Sequence, residues 1–241
     1  MDSARYVDAV RTGAATIAAA GRTNIKARVP SCPEWTLTDL ISHVGGVHRW
    51  AAGIVRTGQR GQFEGPPDGL GGEQLVQWAE EQAAVLVETL EAADPDADVW
   101  TFGRPRTVRF WLRRQGQETT LHAWDAAAAL GVAGPLSGDF AADGLDEFLG
   151  EMLVRVVAQK PHSWTGETLH FHRTDGEGEW LVRLGPEGQV AVDRTHGKGN
   201  AALRGPASDL LLWATNRIDA PNLERFGDQA LLHRWTQEIT L

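Results

Sequence analysis

The chain has one cysteine, Cys32, one tyrosine, and only three lysines (Lys26, Lys160 and Lys198) among its 241 residues. A single thiol excludes an internal disulfide and any zinc site built wholly from thiolates. Few lysines, no basic run and a net charge of −9 leave no footprint for nucleic-acid phosphates, whose neutralisation needs clustered Lys and Arg. The same balance argues against an anionic membrane surface. No apolar run approaches the roughly 20 residues of a membrane span, and the first residues lack a basic-then-apolar leader pattern. A folded, soluble, cytoplasmic protein is the expectation. The 42% hydrophobic content is ordinary for such a chain, and its length suffices for one large domain or two small ones, each with a sizeable core.

Hydrophobic periodicity divides the chain. Tyr6, Val10, Ala14 and Ile17 recur at helical spacing. A loop, Val29-Pro-Ser-Cys-Pro-Glu-Trp35, follows. Thr36-x-x-Asp39 is a variant of the capping box and opens a helix to about residue 57. Residues 56–72 are rich in Gly and Pro and read as a long loop. Further helices are predicted over 73–93, 107–130 and 140–158. The period then changes from 3.6 to 2. Residues 167–174, 180–184 and 189–193 alternate, with turn signals at Asp175-Gly176 and Pro186-Glu-Gly188. They read as an antiparallel meander, followed by a short strand at 201–204 and helices over 206–217 and 229–236. The expected architecture is a helical domain over 1–158 and a small α+β domain with an antiparallel sheet over 160–241, divided near Pro161.

Glu118 and His122 are four residues apart on the fourth helix, so a carboxylate and an imidazole project from one face and can share a cation. Asp125, three residues on, is placed to orient the imidazole. A third ligand has to come from elsewhere, and the second helix offers His43 and His48. Five residues turn a helix by about 500°, so these two point roughly 140° apart. The stripe Leu37, Leu40, Ile41, Val44 and Ala51 puts His48 near its middle and His43 on its flank. Periodicity makes His48 the more buried and leaves open which of the two meets a metal. A Glu/His pair at this spacing also forms ordinary surface contacts, and Arg114 offers Glu118 a simple ion pair.

Two segments carry a resemblance. Val29-Pro-Ser-Cys-Pro-Glu-Trp-Thr-Leu-Thr-Asp-Leu-Ile-Ser-His43 and Arg113-Arg-Gln-Gly-Gln-Glu-Thr-Thr-Leu-His-Ala-Trp-Asp125 resemble motifs of the mycothiol-dependent maleylpyruvate isomerase family, part of the DinB-like group of metal-binding four-helix bundles. In that family a ligand histidine lies eight residues after the Trp of the first motif, which selects His43. The later motif, His/Gln-Glu-x-x-x-His-x-x-Asp, matches Gln117, Glu118, His122 and Asp125. A C-terminal α+β domain is also a family feature, and Asp209-Leu-Leu-Leu-Trp-Ala-Thr-Asn-Arg217 resembles its apolar run ending near Gly-Arg. Gln117 stands where many relatives have His, and Asn216 where Gly is common.

The resemblance implies zinc, or another divalent metal, on His43, Glu118 and His122, with an open fourth position for the thiol of mycothiol. Metal coordination deprotonates a thiol. The implied reaction is cis-trans isomerisation: the thiolate adds to maleylpyruvate, a bond rotates, and elimination leaves fumarylpyruvate. An S-transferase relative would keep the adduct. The implied partners are a low-molecular-weight thiol and a small anionic substrate, with Arg217, ahead of Arg113 or Arg114, as the residue to bind a carboxylate. Against that, Arg217 has an ordinary use at the end of its helix. Other classes fit part of the pattern: a non-catalytic DinB-like sensor, carrier or stress module, or a small-molecule carrier built on the C-terminal domain.

The remaining candidates carry weaker signals. Cys32 sits between Ser31 and Pro33 without a base near it in sequence and reads as structural. His170 and His172 share one face of a strand and could bind metal, but without further ligands a solvated face is the simpler expectation. Trp100 and Phe102 precede the metal helix and are candidates to line a pocket mouth.

Overall fold

The fold is taken from a computed structural model, which describes residues 1–159 and 162–239. The chain divides into two compact units, Met1–Gly134 and Pro135–Leu241.

The first unit packs four long helices: α1 (Ser3–Asn24), α2 (Leu37–Thr57), α3 (Glu73–Ala92) and α4 (Val108–Ala129). Their apolar stripes bury Ile17, Leu40, Ile41, Val44, Leu75 and Trp78 in a common core. The start of α2 is fixed as its sequence predicts: the Thr36 backbone N–H donates to Asp39 Oδ2 at 2.8 Å and the Thr36 hydroxyl donates to the same oxygen at 2.7 Å. Helices α1 and α4 approach closely at two glycines. A methyl on Gly13 would stand 3.1 Å from the Thr119 carbonyl oxygen, and one on Gly116 would stand 3.2 Å from the Tyr6 Cα. Both contacts are tighter than most Cβ atoms make, so glycine permits the close spacing of the helix that carries Glu118 and His122.

The segment expected as a loop between α1 and α2 is a small hairpin. Strand β1 (Arg28–Val29) pairs antiparallel with β2 (Cys32–Thr36). Val29 and Cys32 each precede a proline, which biases them to extended backbone. The segment has no apolar alternation to announce a strand. The hairpin is fastened to its neighbours by the Leu37 N–H, which donates to the Ala27 carbonyl at 2.9 Å.

The second unit holds α5 (Gly138–Glu147), a π-helical turn (Phe148–Met152) and α6 (Leu153–Gln159), then strands β3 (Glu167–Arg173), β4 (Glu179–Leu184), β5 (Val190–Asp193), β6 (Ala201–Gly205) and β7 (Glu224–Gly227), with α7 (Ala207–Ala214) and α8 (Gln229–Glu238). The sheet order is β5-β4-β3-β6-β7. The β3-β4-β5 meander is antiparallel, but β6 pairs with β3 in parallel, Leu169 opposite Ala201, so the sheet is mixed and not antiparallel throughout. Strand β7 was not legible, because all four of its residues are exposed and it is held by backbone pairing to β6. The covered face of the sheet buries Phe171 beside Trp235, with ring centroids 5.5 Å apart, and Trp235 stacks on Trp213 at 6.1 Å.

The helical stretch over 138–159 belongs with the sheet and not with the four-helix unit. Asp139 pairs with Arg173 of β3 at 2.8 Å, and the Trp180 indole N–H of β4 donates to Asp146 at 3.0 Å. A change of periodicity therefore does not mark the division here, since a helix that covers a sheet keeps its own period. The Pro161 boundary itself lies outside the described residues. Among the described residues no helix is long and apolar enough to cross a membrane.

Candidate metal centre

The two helices α2 and α4 bring His43, Glu118 and His122 together. His43 Nε2 lies 3.1 Å from Glu118 Oε1, and His122 Nε2 lies 3.3 Å from the same oxygen. One ligand atom from each of the three lies within 4.8 Å of the others. The second carboxylate oxygen, Oε2, accepts from Arg114 Nη2 at 2.9 Å. Arg114 is buried. The i,i+4 ion pair that spacing offered as a rival to a metal site thus coexists with the cluster, and it fixes which Glu118 oxygen faces the imidazoles.

The other nitrogen of His122 is also engaged. His122 Nδ1 and Asp125 Oδ2 are 3.0 Å apart, and Asp125 Oδ1 accepts the Ser31 hydroxyl at 2.6 Å. Asp125 is fully buried. This chain from hairpin to carboxylate to imidazole holds the ring so that Nε2 points at Glu118, the arrangement by which metal-binding histidines are usually oriented. Trp35, on β2, walls the cluster: its ring lies 5.1 Å from that of His43 and is stacked 6.3 Å from that of His122. Ser31 and the role of Trp35 were not identified from sequence. The only signal was their place in the segment before α2.

Electrostatics concentrates on the same atoms. Burial raises the Glu118 carboxyl, yet His122, His43 and Arg114 outweigh it and hold the group well below the usual carboxylate range. Burial lowers the His122 imidazole, but the charge of Glu118 and the hydrogen bond and charge of Asp125 push it up to about 9. His48 behaves differently. It is 1% exposed, as the stripe on α2 requires, and its Nε2 meets the Thr119 hydroxyl at 2.9 Å. Burial, with smaller contributions from His122 and His43 against the opposing charge of Glu118, pushes it down to about 4. It is a neutral core histidine beside the cluster.

The other sequence candidates each make local contacts. Arg217 lies in the second unit, just past α7, where its Nη1 donates to the Thr215 carbonyl at 3.3 Å and its backbone N–H to Leu212 at 2.8 Å. That is a helix-end contact. Asn216, where the resemblance implies Gly, adopts φ +57°. Asn tolerates this left-handed backbone better than most residues. Its side chain also donates to the Thr236 and Ile239 carbonyls at 3.0 and 2.7 Å. Cys32 packs against the core of the first unit. Trp100 and Phe102 join an aromatic cluster with Trp50, Phe110 and Trp111, in which Phe102 meets Phe110 at 4.8 Å.

Comparison with known proteins identifies the family and the fold. The chain is 34% identical over 121 residues to two uncharacterized proteins of Mycobacterium tuberculosis, MT0763 of strain CDC 1551 / Oshkosh and Rv0738 of strain ATCC 25618 / H37Rv. The match covers 47% of this chain and 59% of each relative. The fold is similar to the crystal structure of the mycothiol-dependent maleylpyruvate isomerase, with a TM-score of 0.59, 16% identity and 93% of both chains covered. A point variant of that enzyme matches equally, at 15% identity. Residues 6–127 match the mycothiol maleylpyruvate isomerase N-terminal domain and residues 139–234 match the MDMPI C-terminal domain, so the chain belongs to the mycothiol maleylpyruvate isomerase family.

Proposed function

We propose that this chain is a zinc-dependent, mycothiol-dependent enzyme, an isomerase of the maleylpyruvate type or a related thiol S-transferase. The observation that carries the reading is the convergence of two imidazole Nε2 atoms on one oxygen of Glu118, at 3.1 and 3.3 Å. Zinc bonds of 2.0–2.1 Å at tetrahedral angles put neighbouring donors about 3.3 Å apart. The donor set fits the ion, and three protein ligands leave a fourth position, as catalytic zinc sites do.

His43, Glu118 and His122 would hold the metal. When bound there, it supplies a lowered thiol pKa, so that a small thiol is held as thiolate at neutral pH. The chain's own residues do the rest. Asp125 keeps the proton on His122 Nδ1, so that Nε2 presents its lone pair. Arg114 holds Glu118 Oε2 and leaves Oε1 turned to the imidazoles. Trp35 packs against both rings and limits how far they can turn.

The test is turnover by the purified, zinc-loaded chain of maleylpyruvate to fumarylpyruvate, with and without mycothiol. Thiol-dependent turnover that disappears in His122→Ala supports the reading, and a stable thiol adduct in its place assigns the transferase form. A chain that binds zinc but does not turn over, and whose cobalt-substituted form shows no change in absorption when the thiol is added, is the non-catalytic metal-binding alternative.

A further inference from the structure

We propose that the second unit carries a zinc site of its own, formed by His170, His172, Glu179 and His196. The sheet builds it. His170 and His172 are two apart on β3 and so share a face. The antiparallel register sets His172 opposite Glu179 on β4. Strand β5 pairs with β4 up to Asp193, and the chain leaving β5 brings His196 over the same face.

The geometry is that of a ligand cage around one carboxylate. Glu179 Oε2 lies 3.0 Å from His170 Nε2 and 2.7 Å from His196 Nδ1, and Glu179 Oε1 lies 3.2 Å from His172 Nδ1. One ligand atom from each of the four residues lies within 4.8 Å of all the others. The rings of His170 and His196 meet edge to face, their centroids 5.2 Å apart. These spacings run from 0.1 to 0.6 Å under the roughly 3.3 Å between neighbouring donors of a tetrahedral zinc ion, so small side-chain rotations would admit the ion. Imidazole and carboxylate ligands suit zinc among the divalent metals. A simple solvated strand face would not need three imidazoles, presented through three separate backbone positions, to converge on one acid.

Four protein ligands leave no open position, which is the mark of a structural zinc site and separates this one from the three-ligand centre on α2 and α4. Its effect would be to fasten the segment after β5 to the β3-β4 hairpin. The His196 side chain is 77% exposed and His170 only 7%, so a cation enters from the His196 side and is held against the sheet.

The experiment uses the full chain, stripped by a chelator and dialysed against zinc, with bound metal counted by elemental analysis. If both centres exist, the wild type holds two equivalents. His196→Ala, an exposed loop substitution that leaves the fold intact, then holds one and weakens zinc at the second unit by more than about a hundredfold, since even partners behind a ligand are worth 10–100-fold. His122→Ala also holds one, and that one gives the intense cobalt absorption of a tetrahedral site. If the first centre does not exist, the wild type holds one equivalent, which His196→Ala removes and His122→Ala does not, and the proposal stands. Zinc content unchanged in both His196→Ala and His172→Ala overturns it. So does the absence of any zinc-induced rise in melting temperature in His122→Ala.

Discussion

Asp125 gives the sharpest handle on the first centre because it acts through His122 and need not touch the metal itself. It is fully buried, with one oxygen on His122 Nδ1 and the other accepting the Ser31 hydroxyl. Asp125→Asn keeps the shape: the amide oxygen still accepts from Nδ1–H, and the Ser31 hydroxyl can turn to accept from the amide. Only the charge is lost. Asp125→Ala removes both acceptors, frees the ring to turn and leaves a buried N–H without a partner. Groups that orient metal-binding histidines are worth about 10–100-fold in affinity, which is about 1.4–2.7 kcal/mol. Asp125→Asn should fall near the lower end of that range and Asp125→Ala near the upper. The alanine variant should also lose about 1–3 kcal/mol of stability from its unsatisfied groups. Ser31→Ala isolates the outer bond and should cost about 0.5–1.5 kcal/mol of stability with little change in zinc affinity. Competition with a chromophoric zinc chelator at fixed pH measures the first quantity and urea unfolding of the metal-free chain the second. A folded Asp125→Ala that binds zinc within about twofold of the wild type would refute the orienting role.

Three further expectations concern other residues. His48 is buried neutral at about 4 and takes up its proton near 6.5 once unfolded, so its contribution to stability is complete above about 6.5 and is lost as the pH falls toward 4, by about 3 kcal/mol in all. Urea unfolding across that window should show the slope in the wild type and not in His48→Gln, whose zinc content should be unchanged; equal slopes would contradict the assignment. Gly116→Val forces a side chain against the Tyr6 backbone and should cost at least about 1–3 kcal/mol by overpacking, read as a lower melting temperature; an unshifted melt would mean that α1 and α4 can move apart freely. Arg217→Ala should lower stability by about 0.3–1 kcal/mol through the lost helix-end contact, with KM for an anionic substrate unchanged; a raised KM at unchanged stability would assign it to substrate instead.

What the sequence made legible follows the range of the signal. Glu118 and His122 were readable because a helix places i and i+4 together whatever surrounds it. Spacing could not choose between His43 and His48, because both project from α2 and the choice depends on which neighbour each meets. The structure sets His48 in the stripe against Thr119 and His43 on the flank against Glu118. Ser31 acts on Asp125 across 94 positions in sequence, and no local pattern encodes that. The second cluster divides the same way. His170 and His172 are a local pair on a strand, whereas Glu179 and His196 join them only through sheet register. The parallel pairing of β6 and the exposed edge strand β7 were hidden for the same reason: one depends on a crossover, and the other carries no apolar alternation.

The aromatic stack of the second unit also sets a timetable for synthesis. Phe171 lies on β3 near the start of the sheet, and Trp235, which covers it, lies on α8. The hairpin of β3 and β4 can pair as soon as it leaves the ribosome, but Phe171 is fully covered only once Trp213 of α7 and then Trp235 of α8 have followed. In the first part of that interval the other edge of β3 is open as well, because β6 has yet to dock on it. An unpaired strand edge beside an exposed aromatic ring is where chains stick to one another. The unit is therefore most vulnerable to aggregation while it is being made, and a chain interrupted before Trp235 would leave Phe171 covered by Trp213 but not by α8.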